Sequence, residues 1–337
     1  MRLGVLDIGS NTVHLLLVDA HPGARPVPFA SHKRPLQLVA HLDARGSITD
    51  RGQDELVGFV REARAFARQH DAEDFLAFCT SAIREAANGA AVLARVQTEA
   101  GVDLQELSGD QEASVTFQAV RRWYGWGAGS ILNLDIGGGS FEMAMGTDEL
   151  PQLALSVPLG AGRLTRNWLP EDPPSAKSVK EVRKYIRATL KDAVRQFEPL
   201  GRPDLVAGSS KTFRALARIA GAEPSAAGPF VRRELRLEDL KLWTKRLAAM
   251  PARDRANLDG VSDMRASQVL AGALVAEAAL ELFDVPSMDI CPWALREGLL
   301  LRRFDSKMFE AEHPLPGAGV GHEQLDSRAR SALKGSG

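Results

Sequence analysis

At 337 residues, with 45% hydrophobic and 25% charged residues, the chain has the make-up of an ordinary soluble protein with material for two cores. Its net charge of −1 speaks neither for nor against an anionic ligand, because a basic cleft can hide inside a balanced total. No stretch of about 18 or more apolar residues occurs, which excludes a helical membrane span. Cys79 and Cys291 each lie in an apolar context and read as buried thiols of a reducing compartment, not as a disulfide or metal site. Met1 leads directly into a strand pattern with no secretory signal, so a cytoplasmic location is expected.

In chain order, 2–8 and 12–19 read as adjacent strands joined by a Gly9-Ser10-Asn11 turn. A Pro-rich hairpin region at 22–35 precedes a third strand over 36–42. Thr49 caps a helix to about Arg68, with Leu56, Phe59, Val60, Ala63 and Ala67 on one face. A short strand at 75–78 ends in Thr80 and Ser81, which can cap a helix carrying Arg84. Asn88-Gly89 breaks that helix, another runs to Ala100, and 102–107 is strand-like. Ser108-Gly109-Asp110 then opens a helix over 111–124. Strands follow at 130–135, 140–146 and 152–157, a helix opens at 159–163, and 170–175 is a proline-rich loop.

The helix over 176–197 gathers Lys180, Lys184, Arg187, Lys191 and Arg195 into one stripe, either a solvated face or a basic wall for a polyanion. Residues 205–207 form a strand ending in Gly208-Ser209-Ser210-Lys211-Thr212, which opens a helix to Ala220. A loop at 224–229 precedes helices over 237–250 and 266–283, and a strand at 288–291 leads to a helix over 294–304. The last residues, 306–337, lack an apolar period and are predicted to be disordered. Strands alternating with helices indicate an α/β fold.

The stretch 131–142, ILNLDIGGGSFE, is a buried strand that stops at Asp135 and turns through Gly137, Gly138 and Gly139. Glycines allow close backbone approach and positive φ, and converging amides make an anion nest, though such turns also occur as plain hairpins. An earlier copy strengthens the nest reading: Asp7-Ile8-Gly9 matches Asp135-Ile136-Gly137 at an offset of 128 residues. An internal repeat of that span predicts two similar domains, 1–126 and 127–305, facing each other. Four strand ends, at 7–12, 80–84, 135–142 and 207–212, carry small or polar residues where α/β sheets bind ligands. Together they predict a phosphate-rich ligand clamped between the domains.

Arg84 is either a surface helix arginine or a fork that grips two phosphate oxygens. Lys211 at a helix N-terminus opposes the dipole preference, which a nearby anion would explain as well as a surface position does. Glu112 in a first helical turn is either a stabilising acid or a general base. Asp135 and Glu142 sit where carboxylates could hold a divalent cation or direct a water. The seven histidines show no metal-ligand spacing, and no P-loop, GxSxG or zinc pattern occurs.

LDIGSNTVHLLL, TSAIREAAN, LSGDQEAS, NLDIGGGSFE, GSSKTFRAL and ICPWALREGLL, in that order, resemble the Ppx/GppA phosphatases, especially the short two-domain exopolyphosphatases of actinobacteria. The resemblance covers about residues 2–304. It implies two duplicated ribonuclease-H-like domains of the acetokinase/sugar kinase/Hsp70/actin superfamily around an interdomain cleft, with the last helix packing back on the first domain. It implies Glu112 as the catalytic base, and Ser10, Asn11, Arg84, Gly137, Gly138, Gly139 and Ser140 as phosphate-binding, joined by Ser209, Ser210 and Lys211. Asp135 and Glu142 would support Mg²⁺ (or Mn²⁺) or the lytic water. The substrate implied is inorganic polyphosphate, with guanosine pentaphosphate as rival and an ATP-dependent kinase or a non-catalytic phosphate-binding regulator as further alternatives. No nucleic-acid or membrane partner is expected, and a homodimer is allowed. Two departures stand out: Ser210-Lys211-Thr212 where long members commonly have Gly-Thr, and Ser114 where arginine is common.

Overall fold

A computed structural model describes residues 1–21 and 27–312, with side chains through residue 309. Two mixed sheets with flanking helices make an α/β fold, and the strand order shows the duplication directly. The first sheet contains β1 (Arg2–Ile8), β2 (Thr12–Asp19), β3 (Val27–Pro35), β4 (Asp74–Cys79) and β5 (Gln105–Glu106), ordered β3-β2-β1-β4-β5. The second contains β6 (Ile131–Ile136), β7 (Phe141–Gly146), β8 (Leu153–Val157), β9 (Leu205–Gly208), β10 (Glu234–Arg236) and β11 (Ser287–Ile290), ordered β10-β11-β9-β6-β7-β8. Strands β6, β7, β8, β9 and β11 take the places of β1 to β5, and the parallel and antiparallel pairings correspond one for one. Among the described residues only β10 is added, as an antiparallel edge.

The helices are α1 (Asp50–Gln69), α2 (Ser81–Arg84), α3 (Gly89–Ala100), α4 (Gly109–Tyr124), α5 (Ala161–Trp168) and α6 (Ala176–Phe197), then α7 (Lys211–Ile219), α8 (Leu237–Ala249), α9 (Ala252–Arg255), α10 (Asp263–Ala266), α11 (Val269–Leu282) and α12 (Leu295–Glu312). Each starts for a local reason where a cap is present. Thr49 accepts from Gly52 N, Ser175 from Ser178 N and Ser210 from Phe213 N. Ser108 and Gln111 form a reciprocal capping box that fixes the first turn of α4, and with it Glu112. Helix α11 is buried on nearly all sides, as its uniformly apolar sequence requires.

Helices α4 and α12 lie between the two sheets. Ala113, Phe117 and Val120 of α4 pack on Ile131, Ala144 and Ala207 of the second sheet, while Val115 joins Leu299 and Leu300 of α12 against Leu3, Val5, Leu16 and Val18 of the first. The contact is tight: a Cβ on Gly298 would stand 2.2 Å from the Val115 carbonyl oxygen.

Three expectations change. The third strand is Val27–Pro35, not 36–42; prolines are tolerated because β3 is an edge strand, and Gln37 at φ 45° ends it before a 3₁₀ turn at Leu38–His41. Strand β5 shrinks from 102–107 to two residues. Helix α12 runs on to Glu312, past 306 where a disordered tail was expected; residues 313–337 lie outside the described residues. The prolines and glycine of 22–26 lie outside them too. No described helix is long and apolar enough to cross a membrane. Cys79 and Cys291 are free and buried, and their thiols are pushed up to about 12 by burial.

Candidate active site

The duplicated strand ends face each other across one cleft. The turn after β1 brings in Ser10 and Asn11, the turn after β6 brings in Gly137 to Ser140, and the ends of β4 and β9 add Thr80, Ser81, Ser209 and Ser210. The two turns nearly touch. A Cβ on Gly138 would lie 2.8 Å from that of Ser10, and one on Gly139 would lie 2.5 Å from Ser81 Oγ. None of Gly137, Gly138 and Gly139 has positive φ, so glycine is required here for close approach and not for left-handed backbone. Gly160 continues the constraint behind the turn, since its Cβ would meet the Gly138–Ser140 backbone within 2.5 Å.

Hydrogen bonds hold the glycine turn in shape. Gly137 N donates to Ser140 O, while Ala161 N and Arg163 N donate to Gly137 O and Gly138 O, each at 2.9 Å. Arg163 Nε donates to Gly139 O at 2.7 Å, and its guanidinium also pairs with Glu85 of the first domain. The amides of Ser10, Asn11, Gly138 and Gly139 have no acceptor among the described residues. Unpaired amides converging in a polar cleft suit an anion's oxygens.

Four carboxylates line the same cleft: Asp7, Glu112, Asp135 and Glu142. Asp135 and Glu142 are direct cross-strand partners in the β6–β7 pair, so their side chains share one face. Their counterparts in the first sheet, 128 residues earlier, are Asp7 and His14, also directly paired. Burial raises Asp135 to about 6, against the donated hydroxyl of Ser209 at 2.7 Å. Burial also lifts Glu142 well above the usual carboxylate range, and the charges of Glu112 and Asp135 add to it despite the Ser156 hydroxyl at 2.9 Å. Asp7 is raised for the same first reason, opposed by Arg296 and Lys211.

Glu112, 8% exposed, is raised to about 7 by burial, an effect that Arg84 opposes. Arg84 Nη1 donates to both Glu112 Oε1 and Leu107 O, at 2.5 Å each. The arginine expected on phosphate therefore faces the carboxylate, and it does not line the cleft itself. Ser209 and Ser210 are similarly engaged: Ser209 donates to Asp135, and Ser210 caps α7. Ser10 Oγ lies 3.3 Å from Ser81 Oγ, and the Asn11 amide exchanges two hydrogen bonds with Gln268 of the second domain, at 3.1 and 3.2 Å. Ser140 is buried at the cleft wall.

Beyond the acids the cleft turns basic. Lys211, Arg214, Arg265 and Arg296 line that side. Burial lowers Lys211 to about 8, helped by the charges of Arg265 and Arg296. Arg265 is lowered by burial and by Arg214, and Arg214 Nε is buried without a hydrogen-bond acceptor. His14, bonded to Arg296, is pushed down to about 3 by burial and that arginine, so it is neutral. The sequence reading passed over Arg214, Arg265, Arg296 and Gln268. Of these Arg214 and Arg296 carried a usable signal, because each follows a strand end within a quoted motif, GSSKTFRAL and ICPWALREG. The basic stripe of α6 lines no part of the cleft; Lys180, Lys184 and Lys191 face solvent and Arg187 pairs with Glu281.

A family model described as the Ppx/GppA phosphatase family matches residues 17–307. The chain is 53% identical over 307 residues to Exopolyphosphatase 1 of Mycobacterium tuberculosis, covering 91% of this chain and 89% of that one. Its identity to the guanosine-5'-triphosphate,3'-diphosphate pyrophosphatase of Vibrio parahaemolyticus is 26%, over 89% of this chain but 59% of the Vibrio protein. The crystal structure of an exopolyphosphatase from Cytophaga hutchinsonii superposes with a TM-score of 0.81 at 26% identity, covering 91% of this chain and 98% of that one. With paired domains, a shared amide-lined cleft and a family match over most of its length, this chain belongs to the Ppx/GppA phosphatase family.

Proposed function

We propose that the protein is an exopolyphosphatase that removes the terminal phosphate of inorganic polyphosphate. The carrying observation is a buried glutamate, poised near neutrality, in the same cleft as the unpartnered backbone amides of Ser10, Asn11 and Gly138. The high identity to a protein named exopolyphosphatase, over nine tenths of both chains, supports the choice of substrate. The amides of Ser10, Asn11 and Gly138 hold the oxygens of the terminal phosphate, with Gly139 beside them in the same turn, so its charge does not repel the nucleophile. Glu112 takes a proton from a water as that water's oxygen bonds to the terminal phosphorus. The bridging P–O bond breaks in line, releasing orthophosphate and a chain one unit shorter. Arg84 is a positioning residue: its guanidinium fixes the Glu112 carboxylate and keeps part of it ionised.

A divalent cation fits Asp135 and Glu142. Two cross-strand carboxylates whose charged forms burial disfavours would be relieved by a dication. No group of three or more His, Cys, Asp or Glu suited to a metal exists among the described residues. The remaining ligands would be water and phosphate oxygens, the habit of Mg²⁺. When bound, it would supply charge neutralisation at the transferring phosphoryl group. The free buried thiols fit a reducing cytoplasm.

Phosphate release from long polyphosphate, guanosine pentaphosphate and ATP, measured side by side with and without Mg²⁺, tests the reading; preference for either nucleotide would overturn it. Glu112→Gln is expected to lower turnover by about 10²–10⁴-fold while polyphosphate binding persists. Wild-type turnover in that variant would remove Glu112 from the chemistry.

A further inference from the structure

A threonine inside a helix can turn its hydroxyl back to the carbonyl oxygen four residues earlier, which satisfies the side chain and occupies it. Thr98, Thr165, Thr189 and Thr244 all do so, donating to Ala94 O, Ala161 O, Tyr185 O and Leu240 O at 2.7 to 3.1 Å. Thr116 does not. It lies in the middle of α4, where the carbonyl four residues back is that of Glu112. Its hydroxyl forms no hydrogen bond among the described residues.

Its position shows what that hydroxyl is free for. Thr116 is 2% exposed and lines the catalytic cleft, so the little surface it keeps is turned toward the reacting groups. Residues four apart stand over one another on a helix, with about 5–6 Å between their Cβ atoms. Thr116 therefore sits one turn beneath Glu112, on the helix face that carries the base. The capping box at the start of α4 and the close Val115–Gly298 contact beside Thr116 fix that relation. Other hydroxyls of the cleft are already spent: Ser209 on Asp135, Ser210 on the cap of α7, Thr212 on Ile136 O. Thr80 also lines the cleft and makes no cap bond, but it belongs to the end of β4 and not to the helix of the base. Glu112 divides its carboxylate in a complementary way. Arg84 holds Oε1, whereas Oε2 has no hydrogen bond among the described residues.

We propose that the Thr116 hydroxyl oxygen and Glu112 Oε2 together hold the water that attacks the terminal phosphorus. This rests on the exopolyphosphatase reading and gives it a second catalytic residue. The water donates one hydrogen bond to each oxygen, and with both hydrogens directed its lone pair points at phosphorus. As the new O–P bond forms, the proton on the Glu112 side passes to Oε2. The bridging P–O bond breaks, and its electron pair stays on the shortened chain. The proton on the Thr116 side remains on the attacking oxygen and leaves with the orthophosphate, so the threonine is neither protonated nor consumed. Its contribution is orientation, felt in the rate of the step and not in the grip on substrate.

Thr116→Val exchanges the hydroxyl for a methyl of the same branching, and Thr116→Ser keeps the hydroxyl without the methyl. Steady-state kinetics of both on long polyphosphate test the assignment. The expected result for Thr116→Val is a kcat lower by about tenfold or more at a KM within about twofold of wild type, with most of the kcat recovered in Thr116→Ser. In the Glu112→Gln background, where no carboxylate holds the water, Thr116→Val is expected to cost less than about threefold further. Wild-type kcat in Thr116→Val, equal losses in the two variants, a change confined to KM, or fully multiplicative losses in the double variant would each overturn the assignment. Absence of phosphate release from polyphosphate by the wild type would instead remove the exopolyphosphatase reading.

Discussion

Glu112 shows how much a single position can be read in advance, and where reading stops. Its place in a first helical turn after Ser108-Gly109 was visible in the sequence, as was the repeat that put phosphate loops around it. Its pairing with Arg84 was not, because the two are 28 residues apart and meet only when β4 and β5 align their ends. The same geometry makes a linked prediction. A carboxyl whose folded pKa is raised to about 7 costs the folded state nothing below the unfolded value near 4.5. Between those pH values the unfolded chain gives up the proton first, and the stability is lost as pH rises through about 7. Glu112→Gln is therefore expected to match wild type in stability near pH 4.5 and to exceed it by on the order of 1–3 kcal/mol at pH 8, measured by denaturant unfolding. A variant destabilised at pH 8 would show that the Arg84 pair outweighs the burial of the charge. In the wild type, kcat/KM should climb as pH rises through about 7, as expected for a base that must be ionised.

Elements with strong local signals were legible almost residue for residue. Strands 2–8 and 12–19 and helix 176–197 coincide with β1, β2 and α6, because alternating or helical apolar spacing and a Ser175 cap mark them. Elements defined by their neighbours were not. Strand β10 has three residues and exists because β11 offers it an edge, and β3 hides among prolines that an edge position tolerates. The α4–α12 contact belongs to this second kind, since nothing local to Gly298 announces Val115. Gly298→Ala would push a methyl into a backbone oxygen that cannot rotate away. The expected cost is about 1–3 kcal/mol, lowering Tm by a few degrees in a chain of this size. An unchanged melting curve would mean that α12 slides along α4 without penalty.

At the scale of the whole molecule, two side-chain pairs beside the cleft join the parts built on the two sheets: the Asn11–Gln268 amide pair and the Arg163–Glu85 ion pair. Removing both with Gln268→Ala and Glu85→Ala should forfeit about 1–3 kcal/mol of closure. The double variant is expected to have a larger radius of gyration by small-angle scattering and a KM raised several-fold. Scattering identical to wild type would show that α4 and α12 alone set the spacing. The duplicated plan was legible in the sequence because the DIG triplet repeats, but the side that turned basic was not, since its arginines lie on α7, α10 and α12 with no common pattern.

Helix α12 carries one more consequence, for the newborn chain. The face of the first sheet bearing Leu3, Val5, Leu16 and Val18 is covered by Leu299 and Leu300. Translation delivers the sheet early and this cover only after the strands of both sheets. Until residues 295–304 leave the ribosome, that greasy surface stays open, and a transcript cut short after β11 would yield a protein with both sheets encoded and one of them unroofed. Such a nascent chain is expected to be a client for holding chaperones, released once α12 can fold over the sheet.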